Sequence, residues 1–514
     1  MTTTLTSKPP PTLFEFQQHP SDKLLDKIRE GRSCLLIAPA GTGKTYAIAS
    51  AIARAQQEGL IQNPDKMVNG LLLTPQSVRM QTARVLQQYG CQSFHVDSYS
   101  TLRSTLGQVF IDWQKGLEKG NLVETPTWRP EDKPELIVAD ECQNLKNSLA
   151  QQSEVVIAAT KVKIPIIFAS ATPFTTIEEA KVVCLGLGVA TEITWKEFSW
   201  AFCVAGKSPE DLSPKGVKNL TDFLEARGHI IRFENIKFAH RSINKCILID
   251  FLNDAERAYH QQAYDDYLER LSKVDREAPG GMAEIWQTIL QFRIRCEHIK
   301  APRMSTRGYE VLKETGRQII IASNFVETLV KARDNLVKVH GVNPAKISFI
   351  VGGQTAQDRQ QNIDRFQSGK ADFCFFTLKS GGVGVSLHHY KEGVGRPRHV
   401  ILPPTWSAIE LVQALGRAHR INSISTTHQE VIWYKDTIEE QVAKKVASKF
   451  SCLGEVVGRK ESWVSLFDKL SEEAVKEDNE VESLLFDEPA KTNKDDEDFV
   501  DDAAFAAEAL ANEN

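Results

Sequence analysis

The sequence predicts an α/β protein built from two parallel-sheet lobes, with helical insertions beside their strands. Three observations lead there. Short β-rich apolar runs alternate with polar, helix-like sequence over 34–169, and a second such series covers 318–434. Between about 175 and 315 this alternation gives way to helical patterning. The length of 514 residues exceeds what one hydrophobic core serves, so two or three domains are expected.

The elements follow in order. Residues 1–12 are Thr/Pro-rich with no apolar core segment, which predicts a disordered leader and no secretory signal. The first lobe is expected over 13–240, with strands at 34–38, 70–74, 135–139 and 164–169, each followed by helix-like sequence. That is the pattern of a parallel sheet with right-handed crossovers. A helical insertion is expected at about 175–235, with a helix over 220–227 after a break at 208–215. The second lobe, 241–458, opens on the strand-like run 245–251. It then carries a helical insertion at about 252–315, with a helix over 255–274 and a break at Pro279-Gly280-Gly281. Strands at 318–322, 347–351, 373–377, 399–402 and 430–434 complete it.

Residues 459–514 form an acidic tail. From Ser471 onward, 16 acidic residues face 3 lysines, which leaves 59 basic and 51 acidic residues in the body. A tail so acidic and so poor in aromatics builds no core, so disorder is expected. The mildly basic body permits a phosphate-rich partner without demonstrating one. Apolar content of 41% and charged content of 25% are those of an ordinary soluble protein. No apolar run approaches the roughly 20 residues that span a bilayer. Nine scattered cysteines without a Cys-x-x-Cys pair predict reduced thiols rather than disulfides or zinc. These features set aside the membrane-spanning, secreted and zinc-finger classes, and an intracellular location, cytoplasm or nucleoid, is expected.

Chemistry enters at Ala38-Pro39-Ala40-Gly41-Thr42-Gly43-Lys44-Thr45, directly after the apolar run 34–37. A Gly-rich turn between strand and helix points backbone N–H groups at phosphate oxygens, and the helix adds its positive N-terminus. Ala40, Gly41, Thr42, Gly43, Lys44 and Thr45 are thus expected to hold ATP, Lys44 on the β/γ-phosphates and the Thr45 hydroxyl on Mg2+. About 95 residues on, Asp140-Glu141-Cys142-Gln143 ends the run 135–139. Asp140 is expected to hold magnesium and Glu141 to orient the attacking water, while Cys142 packs. The leaving γ-phosphate needs positive charge, and Arg417 and Arg420, three apart on an expected helix, present one face. If they reach the phosphates from the second lobe, hydrolysis requires lobe closure.

This ordered set resembles superfamily 2 helicases, and its details resemble their Snf-type branch. Asp140-Glu141-Cys142-Gln143-Asn144-Leu145-Lys146-Asn147 is similar to that branch's Asp-Glu-Ala-His-x-Leu-Lys-Asn. Gln413-Ala414-Leu415-Gly416-Arg417-Ala418-His419-Arg420-Ile421 is similar to its Gln-Ala-x-x-Arg-Ala-His-Arg-Ile. The segment 377–387 resembles its Gly-Gly-x-Gly-x-x-Leu stretch. Gly395-Arg396-Pro397-Arg398 and Pro404-Thr405-Trp406-Ser407 resemble the compact strawberry-notch-like helicases of phages and large DNA viruses. The resemblance covers about 13–449. It implies two RecA-like lobes, Gln17 of Phe14-Glu15-Phe16-Gln17 as the adenine reader, and Gly384 and Gln413 at the nucleotide. It also implies that Gln143, Ser170, Ala171 and Thr172 couple the nucleotide to the nucleic-acid path. Gln143 in place of histidine and Asn422-Ser423 in place of Gly-Gln depart from the pattern. No chromatin-reading module is present, so nucleosome remodelling is not implied.

The same resemblance places backbone contacts at Thr74, Pro75, Gln76 and Arg103 in the first lobe. In the second it places them at Ser323, Asn324, Gly353, Lys379, Ser380 and Gly381. Hydroxyl and N–H groups suit phosphate oxygens and carry no sequence information, so binding should be salt-sensitive and sequence-tolerant. Each of these short segments is equally a turn or helix cap by itself. Trp406 and Phe325 have the chemistry to stack on bases, with core packing the favoured role. The tail's Leu484-Leu485-Phe486 and Phe499 suit either docking of a replication or repair partner, covering of the nucleic-acid track, or plain solvation. The expected function is an ATP-dependent translocase on duplex DNA. A strand-separating DNA or RNA helicase and an ATP-gated binding protein with little turnover remain alternatives.

Overall fold

The structure, a computed structural model, describes residues 10–61, 69–91, 93–102, 111–118, 121–251, 253–275, 281–378, 385–390, 395–405 and 407–457. Most of the expected leader, the whole expected tail, and Arg103, Lys379, Ser380, Gly381, Gly384 and Trp406 lie outside the described residues. The chain divides into two compact units. One is drawn from Met1–Lys237 and Lys449–Arg459, the other from Phe238–Ser448.

The first unit contains strands β1 (Cys34–Ile37), β2 (Gly70–Thr74), β3 (Phe94–Ser98), β4 (Ile111–Glu118), β5 (Asn121–Trp128), β6 (Leu136–Asp140), β7 (Ile166–Ser170) and β8 (Ile230–Arg232). Its helices are α1 (Glu15–Arg29), α2 (Lys44–Gln57), α3 (Arg79–Gln88), α4 (Gln151–Lys161), α5 (Lys181–Gly186), α6 (Trp195–Trp200) and α7 (Pro214–Ala226). Six strands make one parallel sheet in the order β3-β2-β6-β7-β1-β8. Every residue of β1, β2, β6 and β7 is buried, as an all-parallel sheet covered on both faces requires. Successive side chains point to opposite faces. Leu35, Ile37, Ile137 and Phe168 join Val155, Leu185 and Leu220 of α4, α5 and α7. Leu36, Leu72, Val138 and Ile167 join Leu24, Ile48 and Val85 of α1, α2 and α3.

The second unit contains β9 (Ser242–Ile249), β10 (Gln318–Ser323), β11 (Ile347–Ile350), β12 (Phe373–Thr377), β13 (Arg398–Leu402) and β14 (Thr427–Tyr434). Its helices are α8 (Asp254–Lys273), α9 (Gly281–Thr315), α10 (Val326–Lys338), α11 (Ala356–Gln367), α12 (Ala408–Ala418) and α13 (Ile438–Val457). From Lys449 on, α13 belongs to the first unit, whose core takes Cys452 and Val456. The sheet is again parallel throughout, in the order β11-β12-β10-β13-β14-β9.

The α/β class with two parallel-sheet lobes is therefore as expected from the sequence. Four strands were not foreseen. β3 is half polar, and β8 is three residues at the sheet edge, inside the stretch expected to be helical. β4 and β5 form a separate antiparallel hairpin, with Trp128 at its base buried and its indole N–H donated to Val155 O at 3.0 Å. Among the described residues no helix is long and apolar enough to cross a membrane.

A long-range tie in the second unit should make its stability acid-sensitive. Glu430 of β14 accepts a forked pair of bonds from Arg307 of α9 at 3.0 and 2.8 Å. Burial pushes its carboxyl up, but the bonds and charges of His399 and Arg307 outweigh that and hold it at about 2. A carboxyl depressed in the folded state stabilises above its ordinary pKa, near 4.5, and that contribution is lost as pH falls toward 2. Urea unfolding followed between those pH values should show a loss of roughly 1–3 kcal/mol that is absent in Glu430→Gln. An unchanged acid dependence in the variant would remove Glu430 as its source.

Candidate active site

The phosphate loop grows out of the buried strand β1. Ala38 N–H still donates to Ser170 O at 3.2 Å, and the chain then turns through Thr42, whose hydroxyl donates to Pro39 O at 2.6 Å. Gly41 and Gly43 hold left-handed backbone, at φ 75° and 81°. Gly43 immediately precedes α2, so Lys44 and Thr45 open the helix. Thr42 and Lys44 are buried, whereas Ala40, Gly41 and Thr45 are half-buried.

Gln17 of α1 braces this loop. Its Nε2 donates to Thr42 O at 2.7 Å and Gly43 O at 3.4 Å, while its Oε1 accepts from Phe14 N–H at 2.9 Å. Both ends of the amide expected to read adenine are thus engaged with the protein. Phe14, which the sequence reading used only as part of a motif, is half-exposed and stacks on Phe16 at 5.6 Å.

Across the sheet, β6 ends at Asp140 and the backbone turns sharply at Glu141, which has φ 55°. Glu141 N–H donates to Asp140 Oδ1 at 3.1 Å, and Tyr99 donates its hydroxyl to Asp140 O at 2.8 Å. Glu141 Oε1 accepts from Lys44 Nζ at 2.9 Å, and its Oε2 from Gln143 Nε2 at 2.9 Å. Gln143 Oε1 accepts from the Ser170 hydroxyl at 2.6 Å, and Ser170 Oγ accepts from Thr172 N–H at 2.8 Å. Lys44, Glu141, Gln143, Ser170 and Thr172 therefore form one hydrogen-bonded relay along the carboxyl ends of β1, β6 and β7. Ala171 lies buried within it.

The electrostatics fit polyphosphate and a hard cation. Burial pulls the Lys44 ammonium down, but Glu141 and Asp140 outweigh it and hold it above its ordinary value, so it stays charged. Burial raises the Asp140 carboxyl to about 6 despite the Lys44 charge. The Asp140 carboxylate and Thr45 hydroxyl are hard oxygen donors of the kind magnesium takes. Cys142 is buried and its thiol is pushed up by that burial, which makes it a packing residue.

The other expected residues are placed as follows. Thr74 is buried at the end of β2, Pro75 is half-buried and Gln76 exposed. In the second unit, Arg417 of α12 is buried and Arg420 half-buried, and both guanidinium groups donate to Val385 O at 3.3 Å. The expected helix ends at Ala418, so Arg420 lies beyond it, after extended backbone at His419, yet both arginines converge on one carbonyl. Gln413 is half-buried on α12, and Gly353 is exposed at φ 74°. Ser323 and Asn324 differ from expectation. Ser323 is fully buried, its hydroxyl donates to Glu297 Oε2 at 2.6 Å, and both Asn324 N–H and its side-chain amide bond the same carboxylate. Glu297 lies 26 residues upstream on α9, where no local pattern marks it. Phe325 is half-buried directly before α10.

A second cluster of ligating residue types lies buried in the second unit. Atoms of His260, Cys296 and Glu439 lie within 4.8 Å of one another. Glu439, however, is bound by the buried Lys300 ammonium and accepts Tyr434 N–H at 2.8 Å. The lysine takes the place a cation would need.

Comparison with known proteins gives the class. Residues 18–180 match the DEAD/DEAH box helicase model, and residues 303–422 match the helicase conserved C-terminal domain model. A protein of Acanthamoeba polyphaga mimivirus, named as an ATP-dependent RNA helicase, is 21% identical over 484 residues, covering 87% of this chain and 84% of its own. The Homo sapiens DNA repair and recombination protein RAD54B is 29% identical over 143 residues, 27% of this chain and 14% of that protein. The Sulfolobus solfataricus SWI2/SNF2 ATPase core, solved in complex with dsDNA, is 17% identical with a TM-score of 0.34, covering 91% of this chain and 97% of its own. With both models matched in this order, the chain is an ATP-hydrolysing enzyme of the helicase class. It belongs with the DEAD/DEAH-type helicases, and its motifs resemble the Snf-type branch of superfamily 2.

Gly43 offers a direct check of the loop. A Cβ there would lie 2.5 Å from Gln17 Nε2 and 3.3 Å from Tyr46 Cδ2, on backbone that side chains avoid. Strain of about 1–3 kcal/mol should weaken ATP binding by Gly43→Ala about tenfold or more, measured by calorimetric titration. Wild-type affinity in that variant would contradict the packing of Gln17 on the loop.

Proposed function

We propose that this ATPase translocates along duplex DNA, coupling hydrolysis to stepping along the backbone. The observation that carries this reading is the relay from Lys44 through Glu141 and Gln143 to Ser170 and Thr172. It joins the phosphate loop to the segment after β7 without a break. Lys44 has two anionic partners to choose between, the Glu141 carboxylate and the phosphates of ATP. Phosphate binding frees Glu141 to orient the attacking water, while Gln143 keeps the carboxylate in register with Ser170. Thr45 and Asp140 would hold magnesium, which when bound neutralises charge on the phosphates. Arg417 and Arg420 supply positive charge for the leaving γ-phosphate, and Gln413 contributes to the nucleotide site. The half-exposed ring of Phe14 offers the adenine base a flat apolar face, since the Gln17 amide is committed to the loop.

The track is proposed to involve Thr74, Pro75, Gln76 and Gly353, with Ser323 and Asn324 shaping their loop through Glu297 rather than meeting phosphate. Arg103, Lys379, Ser380 and Gly381 remain proposed contacts from sequence. The DNA-repair relative supports DNA as the polymer, and the RNA helicase name of the viral relative makes RNA the competitor to test. One observation favours strand separation as a second reading, the hairpin β4–β5 standing apart from the main sheet.

Steady-state ATPase rates without nucleic acid, then with duplex DNA, single-stranded DNA and RNA, decide among these. Duplex DNA is expected to stimulate turnover most, with stimulation falling as salt rises, and Lys44→Ala to abolish it. Glu141→Gln should lower kcat about 10²–10⁴-fold while ATP binding persists. Stimulation confined to single strands or RNA would replace the translocase with a helicase. An unstimulated rate, unchanged in Glu141→Gln, would sink the motor.

A further inference from the structure

Gly395-Arg396-Pro397-Arg398, so far only a point of resemblance, builds a device inside the second unit. Arg398 opens β13 and is fully buried, yet its hydrogen bonds go to neutral groups. Its Nε donates to Leu387 O at 2.8 Å, one terminal nitrogen to Gln318 Oε1 and to Arg396 O at 2.5 Å, and the other to Gln367 Oε1 at 2.6 Å. The guanidinium also lies over the Phe366 ring, 4.7 Å from its centroid. Burial lowers its pKa to about 10, which leaves it charged near neutrality. Gly395 makes this possible, because a Cβ there would lie 2.8 Å from both terminal nitrogens and from Gln318 Oε1.

The two amides extend the grip. Gln318 Nε2 donates to Phe366 O at 2.8 Å and Ala371 O at 2.7 Å. Gln367 Nε2 donates to Ser386 O at 2.7 Å and His388 O at 3.3 Å. Three consecutive carbonyls, of Ser386, Leu387 and His388, are therefore held by Arg398 and its partner Gln367. The next carbonyl back, Val385 O, receives both Arg417 and Arg420, and Leu387 N–H donates to Arg417 O at 3.0 Å. One residue, Leu387, thus bonds Arg398 on its carbonyl and Arg417 on its amide.

We propose that Arg398 is a positioning residue for ATP hydrolysis, fixing residues 385–388 and through them the guanidinium groups of Arg417 and Arg420. The inference rests on the reading of that pair as the cations that meet the leaving phosphate. A rigid planar fork satisfies several carbonyls in set directions, which a lysine, as a flexible point charge, does not reproduce. Burying a cation that has no acid partner among the described residues is a poor route to stability, so the arrangement is better explained by position.

The test uses the full chain with saturating nucleic acid and a titration of ATP. Arg398→Lys should lower kcat about tenfold or more with KM for ATP changed by less than about twofold, the signature of a group acting only in the transition state. Gly395→Ala keeps every polar group but crowds the guanidinium, and should give the same split to a smaller degree. Arg398→Lys combined with Arg417→Ala should be no slower than Arg417→Ala alone, because both act through one element. If Arg417→Ala loses turnover while Arg398→Lys and Gly395→Ala stay within about twofold of wild type, the clamp is overturned and the arginine pair stands. Losses that multiply in the double variant also overturn it. Full kcat in both Arg417→Ala and Arg420→Ala removes the reading beneath it. Should Arg398→Lys fail to fold, Gly395→Ala decides alone.

Discussion

Glu141 stands between an ammonium and an amide, its Oε1 2.9 Å from Lys44 Nζ and its Oε2 2.9 Å from Gln143 Nε2. Its backbone is left-handed at φ 55°, a conformation that costs an ordinary side chain about 1–2 kcal/mol. The strain is over-determined by hydrogen bonds. Glu141 O accepts both Asn144 N–H and its side-chain amide, at 3.1 and 2.7 Å, and Glu141 N–H is capped by Asp140. Removing either side of such a largely buried ion pair typically costs several kcal/mol, because the remaining charge keeps its burial penalty and loses its nearest counter-charge. A ligand that brings its own anion to Lys44 is a different event, since it exchanges one partner for another.

The sheet explains why these residues meet. With β7 lying between β6 and β1, the residues that follow three adjacent strands share one edge, where open parallel sheets bind ligands. Ser170 at the end of β7 therefore sits where it bridges toward Gln143, and the segment through Thr172 is tied to the phosphate loop by side chains rather than by backbone alone. The second unit applies the same economy around Val385, whose carbonyl gathers two arginines while a buried guanidinium and two glutamines hold the adjoining chain. Polar groups held so completely tend to have one arrangement, which suits residues that must be placed rather than merely present.

Local physics made much of this legible. Apolar runs such as 136–139 and 166–169 have no stable place but the middle of a covered sheet. Gly41 and Gly43 ahead of Lys44 announce a turn that needs left-handed backbone. What escaped is set by contacts distant in sequence. Nothing near Ser323 reveals that Glu297 will capture its hydroxyl, and nothing near Gln17 reveals that its amide will face the loop. The strands β3, β4, β5 and β8 escaped for a different reason. They are half polar, very short, or paired only with each other, so tertiary pairing rather than composition makes them strands. The Gly395–Arg398 signature was visible as a string of letters, but its meaning depends on Gln318 and Gln367, far away in the chain.

The direct test of the relay is the ratio of nucleic-acid-stimulated to basal ATPase turnover in Gln143→Leu, a change that removes both amide contacts but leaves Lys44, Asp140 and Glu141 in place. Basal turnover within about threefold of wild type, with stimulation lost, is the expected result for a link between the phosphate loop and the segment after β7. A Gln143→Leu enzyme that nucleic acid stimulates as strongly as wild type would contradict it.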